Sequence, residues 1–130
     1  MTRMLVLLVA LAIALVGCRQ SAQTPTSTPE NIPQIDIALE AEATSVGDTM
    51  LIVTVTDGSG APVEAQEVRL RGDMAHAGMM PVQGQTDSGE DGVYRIPFGW
   101  TMGGSWTVTV TVVLPDGTTV DDTFDFEIES

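Results

Sequence analysis

Apolar and polar residues alternate along most of the chain from residue 34 onward. In "TMLIVTVTD" (49–57), Leu51, Val53 and Val55 fall on one face, and the residues between them fall on the other. The same period of two recurs in five further segments, at residues 34–40, 67–72, 92–98, 105–114 and 119–129. Alternation of β-branched and aromatic residues with polar ones is typical of half-buried antiparallel strands. No sustained helical period appears after residue 33.

Turn-forming residues separate these segments. Asp57-Gly58-Ser59-Gly60 follows one strand segment, and Asp116-Gly117 predicts a hairpin between the last two long strands. Six to seven strands with a turn about every 8–12 residues predict an all-β fold, an immunoglobulin-like antiparallel sandwich of two sheets. The chain has no Cys…Trp…Cys pattern, so the prediction concerns architecture only.

The N-terminus has the build of an export signal. Arg3 precedes an apolar run from Met4 to Val16, which is shorter than the roughly 20 residues that span a bilayer core. The run ends in Leu15-Val16-Gly17-Cys18, which resembles the lipobox of bacterial lipoproteins. That resemblance implies cleavage before Cys18 and acylation of its thiol. An ordinary signal peptide with a chance cysteine is the alternative.

These features predict three parts of the chain. Residues 1–17 form a lipoprotein signal peptide, and residues 18–33 form the lipidated Cys18 and a flexible tether rich in Ser, Thr, Pro and Gln. Residues 34–130 form the folded domain. With more than one acyl chain, the protein would be anchored to a cell membrane on its extracytoplasmic face, periplasmic or cell-surface, without crossing it.

The charge of the chain is strongly negative. All eighteen carboxylates lie after Cys18, against four arginines and no lysine, which gives a net charge of −14 once the N-terminus is acylated. Such a surface repels nucleic acid phosphates, so no nucleic acid partner is predicted. The alternative is that the negative charge only keeps the protein soluble. Cys18 is the single cysteine, so neither an intramolecular disulfide nor a thiolate metal site can form.

The candidate chemistry lies in "RGDMAHAGMMPVQG" (71–84). The only histidine, His76, stands within four residues of Met74, Met79 and Met80. We expect all four on a loop, because the preceding strand segment ends near residues 72–73 and the next begins near residue 81. A further methionine, Met102, lies in a second irregular segment, "FGWTMGGSW" (98–106).

Thioether sulfur is a soft, neutral ligand that prefers Cu(I), and imidazole suits several transition metals. Outside the cytoplasm a thioether is durable, since it oxidises only to the sulfoxide. The pattern therefore makes copper a candidate cofactor. Zinc fits less well, because one histidine and no usable thiolate leave only carboxylates. The alternative is that the methionines fill gaps in the core while His76 faces solvent. The predicted metal ligands are His76, Met74, Met79, Met80 and Met102.

The order of these segments resembles the YtkA-like and FixH-like domains of bacterial exported and membrane-attached proteins. The likeness rests on "MAHAGMMP" (74–81), "GVYRI" (92–96) and "MGGSWTVTV" (102–110), and it extends over roughly residues 34–128. It implies an immunoglobulin-type sandwich associated with the handling of heavy metals, especially copper. It also implies that the same five residues are ligands, and that Tyr94 and Trp106 belong to the scaffold.

The functional prediction is a membrane-anchored lipoprotein that binds copper, as Cu(I), and stores it or delivers it to a partner protein. Catalysis is not expected, because His76 has no cysteine partner and neither a Gly-x-Ser-x-Gly elbow nor a phosphate-binding glycine loop is present. The alternative function is a non-metal interaction module or accessory subunit of a cell-surface complex. In that case the methionines would form an adaptable apolar contact patch.

Overall fold

The structure, a computed structural model, describes residues 34–130, which form seven strands and no helix. Each of the six alternating segments corresponds to one strand, and a five-residue strand before residue 87 is the seventh. The strands are β1 (Ile35–Ala41), β2 (Gly47–Asp57), β3 (Glu67–Met74), β4 (Val82–Thr86), β5 (Val93–Trp100), β6 (Gly104–Val113) and β7 (Thr119–Ile128).

Two antiparallel sheets make up the fold. One has three strands in the order β1-β2-β5, and the other has four in the order β4-β3-β6-β7. The predicted all-β, two-sheet antiparallel sandwich is therefore confirmed. β4 pairs with β3 and so belongs to the four-stranded sheet. In immunoglobulin constant domains the fourth strand instead lies in the sheet of the first, second and fifth strands.

The core consists of the inward-facing rows that the alternation predicts. Leu51, Val53 and Val55 of β2 are fully buried, as are alternate residues of β6 from Trp106 to Val112. No charged or polar residue is buried among residues 34–130. Tyr94 is buried on β5, and its hydroxyl accepts a hydrogen bond of 2.6 Å from the Ala65 N–H. The buried ring therefore has a partner for its polar atom.

The predicted hairpin at Asp116-Gly117 joins β6 to β7. The Gly117 N–H donates to the Leu114 carbonyl at 2.9 Å, and Gly117 has a φ of 86°, which favours glycine. The Asp116 carboxylate accepts the Thr118 N–H at 2.8 Å. This hydrogen bond to the charged form lowers the pKa of Asp116.

The connections between strands fall at two ends of the sandwich. One end carries residues 42–46, 75–81 and 101–103, and we call it the methionine end. The opposite end, which we call the entry end, carries the start of β1 at Ile35 and the other three connections. β2 runs between the two ends with eleven residues, a distance of roughly 35 Å at about 3.4 Å per residue.

The signal peptide predicted for residues 1–17, the lipidated Cys18 and the tether of residues 18–33 lie outside the described residues. Within the part of the chain that the structure describes, no helix is long and apolar enough to cross a membrane.

Candidate functional site at the methionine end

The connection of residues 75–81 holds three of the five predicted ligands. His76 is exposed, Met79 is half-buried and Met80 is 85% exposed. The connection ends at Pro81, and Val82 begins β4. Proline has no N–H to donate to a ladder, and it is found at strand starts and edges, which explains why the strand begins after it. Because His76 and Met80 are exposed, a metal ion in solvent can reach the imidazole and at least one thioether.

Met74 does not lie on this loop, contrary to the prediction. It is the last residue of β3, where it pairs with Trp106 of β6, and its side chain packs against the core. β3 continues to residue 74, one residue past the predicted end at residues 72–73, because the ladder with β6 extends that far. Met74 is thus half-buried scaffold as well as a candidate ligand.

Met102 lies on the short connection between β5 and β6, and 48% of it is exposed. Its main chain is held in place by Trp106, whose indole N–H donates to the Met102 carbonyl at 2.9 Å. Trp106 is thus next to both methionines. It pairs with Met74 in the β3–β6 ladder, and its indole binds the main chain of Met102.

A cluster of aromatic rings lies beneath the methionine end. Trp100 and Trp106 are both buried, with ring centroids 5.4 Å apart in an edge-to-face arrangement. Phe98 stands 5.0 Å from Trp100 and 6.4 Å from Trp106, and Phe126 stands 5.4 Å from Trp100. Edge-to-face pairs at these separations are the favoured aromatic geometry. The connections above therefore lie over these four packed rings, which we call the aromatic base.

Sequence reasoning missed the role of Trp100, which it placed in a loop. Trp100 is the last residue of β5, and its indole N–H donates to the Ala43 carbonyl at 2.8 Å. It thus fastens the connection of residues 42–46 as Trp106 fastens that of residues 101–103. The signal was present in the sequence, since Tyr94, Ile96, Phe98 and Trp100 continue one period of two.

Carboxylates surround the methionine end. Asp73 is paired with Arg71 at 2.9 Å, and this raises the pKa of the guanidinium. Glu42 is paired with Arg95 at 2.9 Å. Among residues 34–130, no group of three or more His, Cys, Asp or Glu side chains is placed to hold a metal ion.

The structure brings all five predicted ligands to one end of the sandwich. His76, Met79 and Met80 share one connection, Met102 lies on another, and Met74 lies at the strand end that leads into the first. The two most exposed methionines among these are Met80 and Met102. Chemically, this end offers thioether sulfurs, which are soft, neutral donors, and one imidazole, with carboxylates nearby.

Comparison with known proteins identifies the family. A profile of the YtkA-like family matches residues 30–111, which is more than half of the chain. The chain belongs to the YtkA-like family. The match begins close to the predicted domain boundary and includes the methionine segments of both connections, and it confirms the YtkA-like resemblance. No curated protein matches the chain significantly.

Solved structures resemble the YtkA-like domain in fold. A superoxide reductase (neelaredoxin) from Ignicoccus hospitalis matches with a TM-score of 0.53 at 10% identity, over 75% of this chain and 81% of that one. MtrC from Shewanella baltica matches with a TM-score of 0.48 at 18% identity, over 74% of this chain and 22% of that one. The first likeness supports the sandwich fold alone.

Proposed function

We propose that this YtkA-like protein binds copper, as Cu(I), at the methionine end and carries or stores it outside the cytoplasm. The observation that carries the proposal is the placement of the only imidazole and the candidate thioethers at one end of the sandwich. Thioether and imidazole donors suit Cu(I) in softness. His76, Met79, Met80 and Met102 would hold the ion, and Met74 would join them if its side chain turns outward.

The chemistry of the donor set fits the proposed metal. A neutral ligand set leaves the charge of Cu(I) uncompensated, and the surrounding carboxylates offset it at longer range without binding the ion. The aromatic base keeps the connection that carries Met102 in place, so this one ligand needs little ordering on binding. We assign no catalytic step to this site. Its role is to hold copper and release it to a partner protein.

Competition for Cu(I) against bicinchoninate tests this proposal with the full chain in detergent. The chain is expected to hold about one Cu(I) ion. His76→Ala and Met79→Leu are each expected to lower the affinity by about tenfold or more, or about 1.4 kcal/mol. Leucine keeps the volume of methionine but removes the sulfur, so packing changes little.

Met50→Leu is the matched control. Met50 lies on β2, outside both connections, and is half-buried. It is expected to leave the affinity unchanged. The proposal fails if the unaltered chain retains no more Cu(I) than a variant lacking His76 and all four candidate methionines. It also fails if Met50→Leu lowers the affinity as much as Met79→Leu.

We also propose that Cys18 anchors the protein to a membrane. Residue 35 enters β1 at the entry end, so a tether from Cys18 would join the sandwich on the side opposite the candidate ligands. The length of β2, roughly 35 Å, then separates the candidate ligands from the point where the tether would join β1.

Cell fractionation tests the anchor. Cys18→Ser removes the thiol that would be acylated, so the protein is expected to move from the membrane fraction to the soluble fraction or to remain as uncleaved precursor. Ser21→Ala, three residues away, should leave the protein in the membrane fraction as the processed form. Unchanged membrane retention and processing of the Cys18→Ser protein would contradict lipidation at this position.

A further inference from the structure

The exposed large apolar side chains of the described residues are gathered at one place. They are Val46, Met80 and Met102, with exposed fractions of 47%, 85% and 48%. Each lies on a different connection, and all three connections belong to the methionine end. The entry end carries three connections of its own, yet no large apolar residue among those described is exposed there.

The last residues of the described chain tie two of the three connections together, those of residues 42–46 and 101–103. The Val46 N–H donates to the Glu129 carbonyl at 3.0 Å, and Ser45 forms a parallel bridge with Glu129. Next along the chain, Ser130 lies against Gly103, which follows Met102. Val46 and Met102 therefore flank the same short segment. These two side chains belong to one surface, and Met80 lies on the third connection of the same end.

The rim of this surface has an excess of negative charge. Asp48 lies just after the connection of residues 42–46, Glu129 pairs with Ser45, and Glu127 pairs with Ser105, just after the connection of residues 101–103. None of these three carboxylates belongs to an ion pair among residues 34–130. Arg71 and Arg95 are the arginines that reach this end, and each is already paired with a carboxylate. A binding partner would thus meet uncompensated carboxylates around an apolar centre.

We propose that the methionine end is a docking surface for a protein whose contact face has an apolar centre ringed by lysine and arginine. Apolar centres with charged rims are the usual anatomy of a specific, non-obligate interface. Opposite charge on the rim accelerates the encounter and selects the partner. A second copy of this chain would bring the same carboxylates face to face, so self-association is disfavoured at this surface.

The docking surface does not depend on bound copper. Val46 is not a candidate metal ligand, and neither are the rim carboxylates. The proposal therefore goes beyond the metal-binding function, and the two can fail separately. If both hold, the partner that docks here would receive copper from the methionines at the centre of the contact.

Site-specific photocross-linking in the source cells tests the docking proposal with the full chain. A benzophenone side chain is placed at Val46, at Met80 or, as the control, at Thr118 on the entry end. Val46 and Met80 are expected to cross-link to the same protein, and Thr118 is expected not to. The contact peptide on that protein should contain apolar residues with lysine or arginine close by. The cross-link should persist in His76→Ala and in copper-depleted medium.

Charge reversal on the rim provides the second arm. Asp48→Lys with Glu129→Lys is expected to reduce the yield of the Val46 cross-link by about fivefold or more, since it reverses the field that steers the partner. Asp36→Lys with Asp121→Lys gives the same change of net charge on exposed residues away from the methionine end. This control pair should reduce the yield by less than about twofold.

Several results would overturn the proposal. Cross-linking that is absent, or equal at both ends, shows that the methionine end is not a docking surface. Cross-linking to a second copy of the chain shows that the surface is a homodimer contact. Equal losses from the two charge reversals show that the rim does not select the partner. Thermal unfolding of each variant separates these results from loss of fold.

Discussion

Replacing Gly72 with alanine is expected to lower the free energy of unfolding by about 2 kcal/mol, since the added methyl group has no free space. Gly72 faces inward from β3, where an alanine Cβ would lie 2.6 Å from Phe98 Cζ and 3.3 Å from Trp106 Cε3. Interiors are too densely packed to absorb such an overlap without moving the rings or the strand. For a domain of this size the midpoint of thermal unfolding should fall by about 10 °C.

Gly99→Ala is the matched control for Gly72→Ala. At Gly99 the nearest atom to an added Cβ is the Asp48 Oδ1, at 3.7 Å, which is an ordinary contact. We expect the change in the free energy of unfolding to stay within about 0.5 kcal/mol. Urea unfolding of the unaltered protein, Gly72→Ala and Gly99→Ala measures the difference in the free energy of unfolding. Equal stability of the two variants would contradict the packing of Phe98 and Trp106 over Gly72.

The consequences of Gly72→Ala should extend to the candidate site. Phe98 and Trp106 belong to the aromatic base, and Trp106 holds the Met102 carbonyl. A shift of either ring therefore moves the connection above it. Stability and ligand placement are coupled here because the same rings fill the core and support the connections.

The architecture was predictable because the apolar period repeats along every long strand. Leu51, Val53 and Val55 alternate with partly exposed residues, and a slip of one residue would expose them all. The alternation from Trp106 to Val112 sets the inward face of β6 in the same way. Register and burial thus follow from local pattern. Local pattern does not determine the sheet to which β4 belongs, because that depends on whether β4 pairs with β3 or with β5.

The ends of the strands were less predictable. Met74 continues β3 because Trp106 lies opposite it, and Trp100 continues β5 because Gly47 pairs with it. Both pairings join residues that are far apart in the sequence. Local composition near residues 72–73 and 99–104 is rich in glycine, which suggested loops earlier than the structure has them.

The candidate site was predictable in its residue types and its general location only. Soft donors clustered around a single imidazole could be recognised in sequence, and two strand connections at one end could be inferred from the topology. The partial burial of Met74 and the strong exposure of Met80 depend on packing between connections. The tie between Val46 and Glu129 gave no sequence signal, because it joins main-chain atoms.

Replacing Trp106 with phenylalanine is expected to lower the free energy of unfolding by about 2–4 kcal/mol and to loosen Met102. The variant leaves the Met102 carbonyl without its donor, which costs about 1–3 kcal/mol, and it opens a cavity where the larger ring was. Amide hydrogen exchange should become faster at residues 102–104. Because Met102 is then less well positioned, the affinity for Cu(I) should fall by about threefold to tenfold, or about 0.7–1.4 kcal/mol.

Trp100→Phe separates the position of Met102 from general stability. Trp100 is equally buried, lies in the same ring cluster, and donates to the Ala43 carbonyl instead. Its loss should cost similar stability, but the faster exchange should appear at residues 43–46 and the affinity for Cu(I) should change little. If both variants accelerate exchange in both connections alike, the indoles act only by filling the core. If each loosens only its own connection, the paired tryptophans hold two sides of the methionine end independently, and only the Trp106 side carries a candidate ligand.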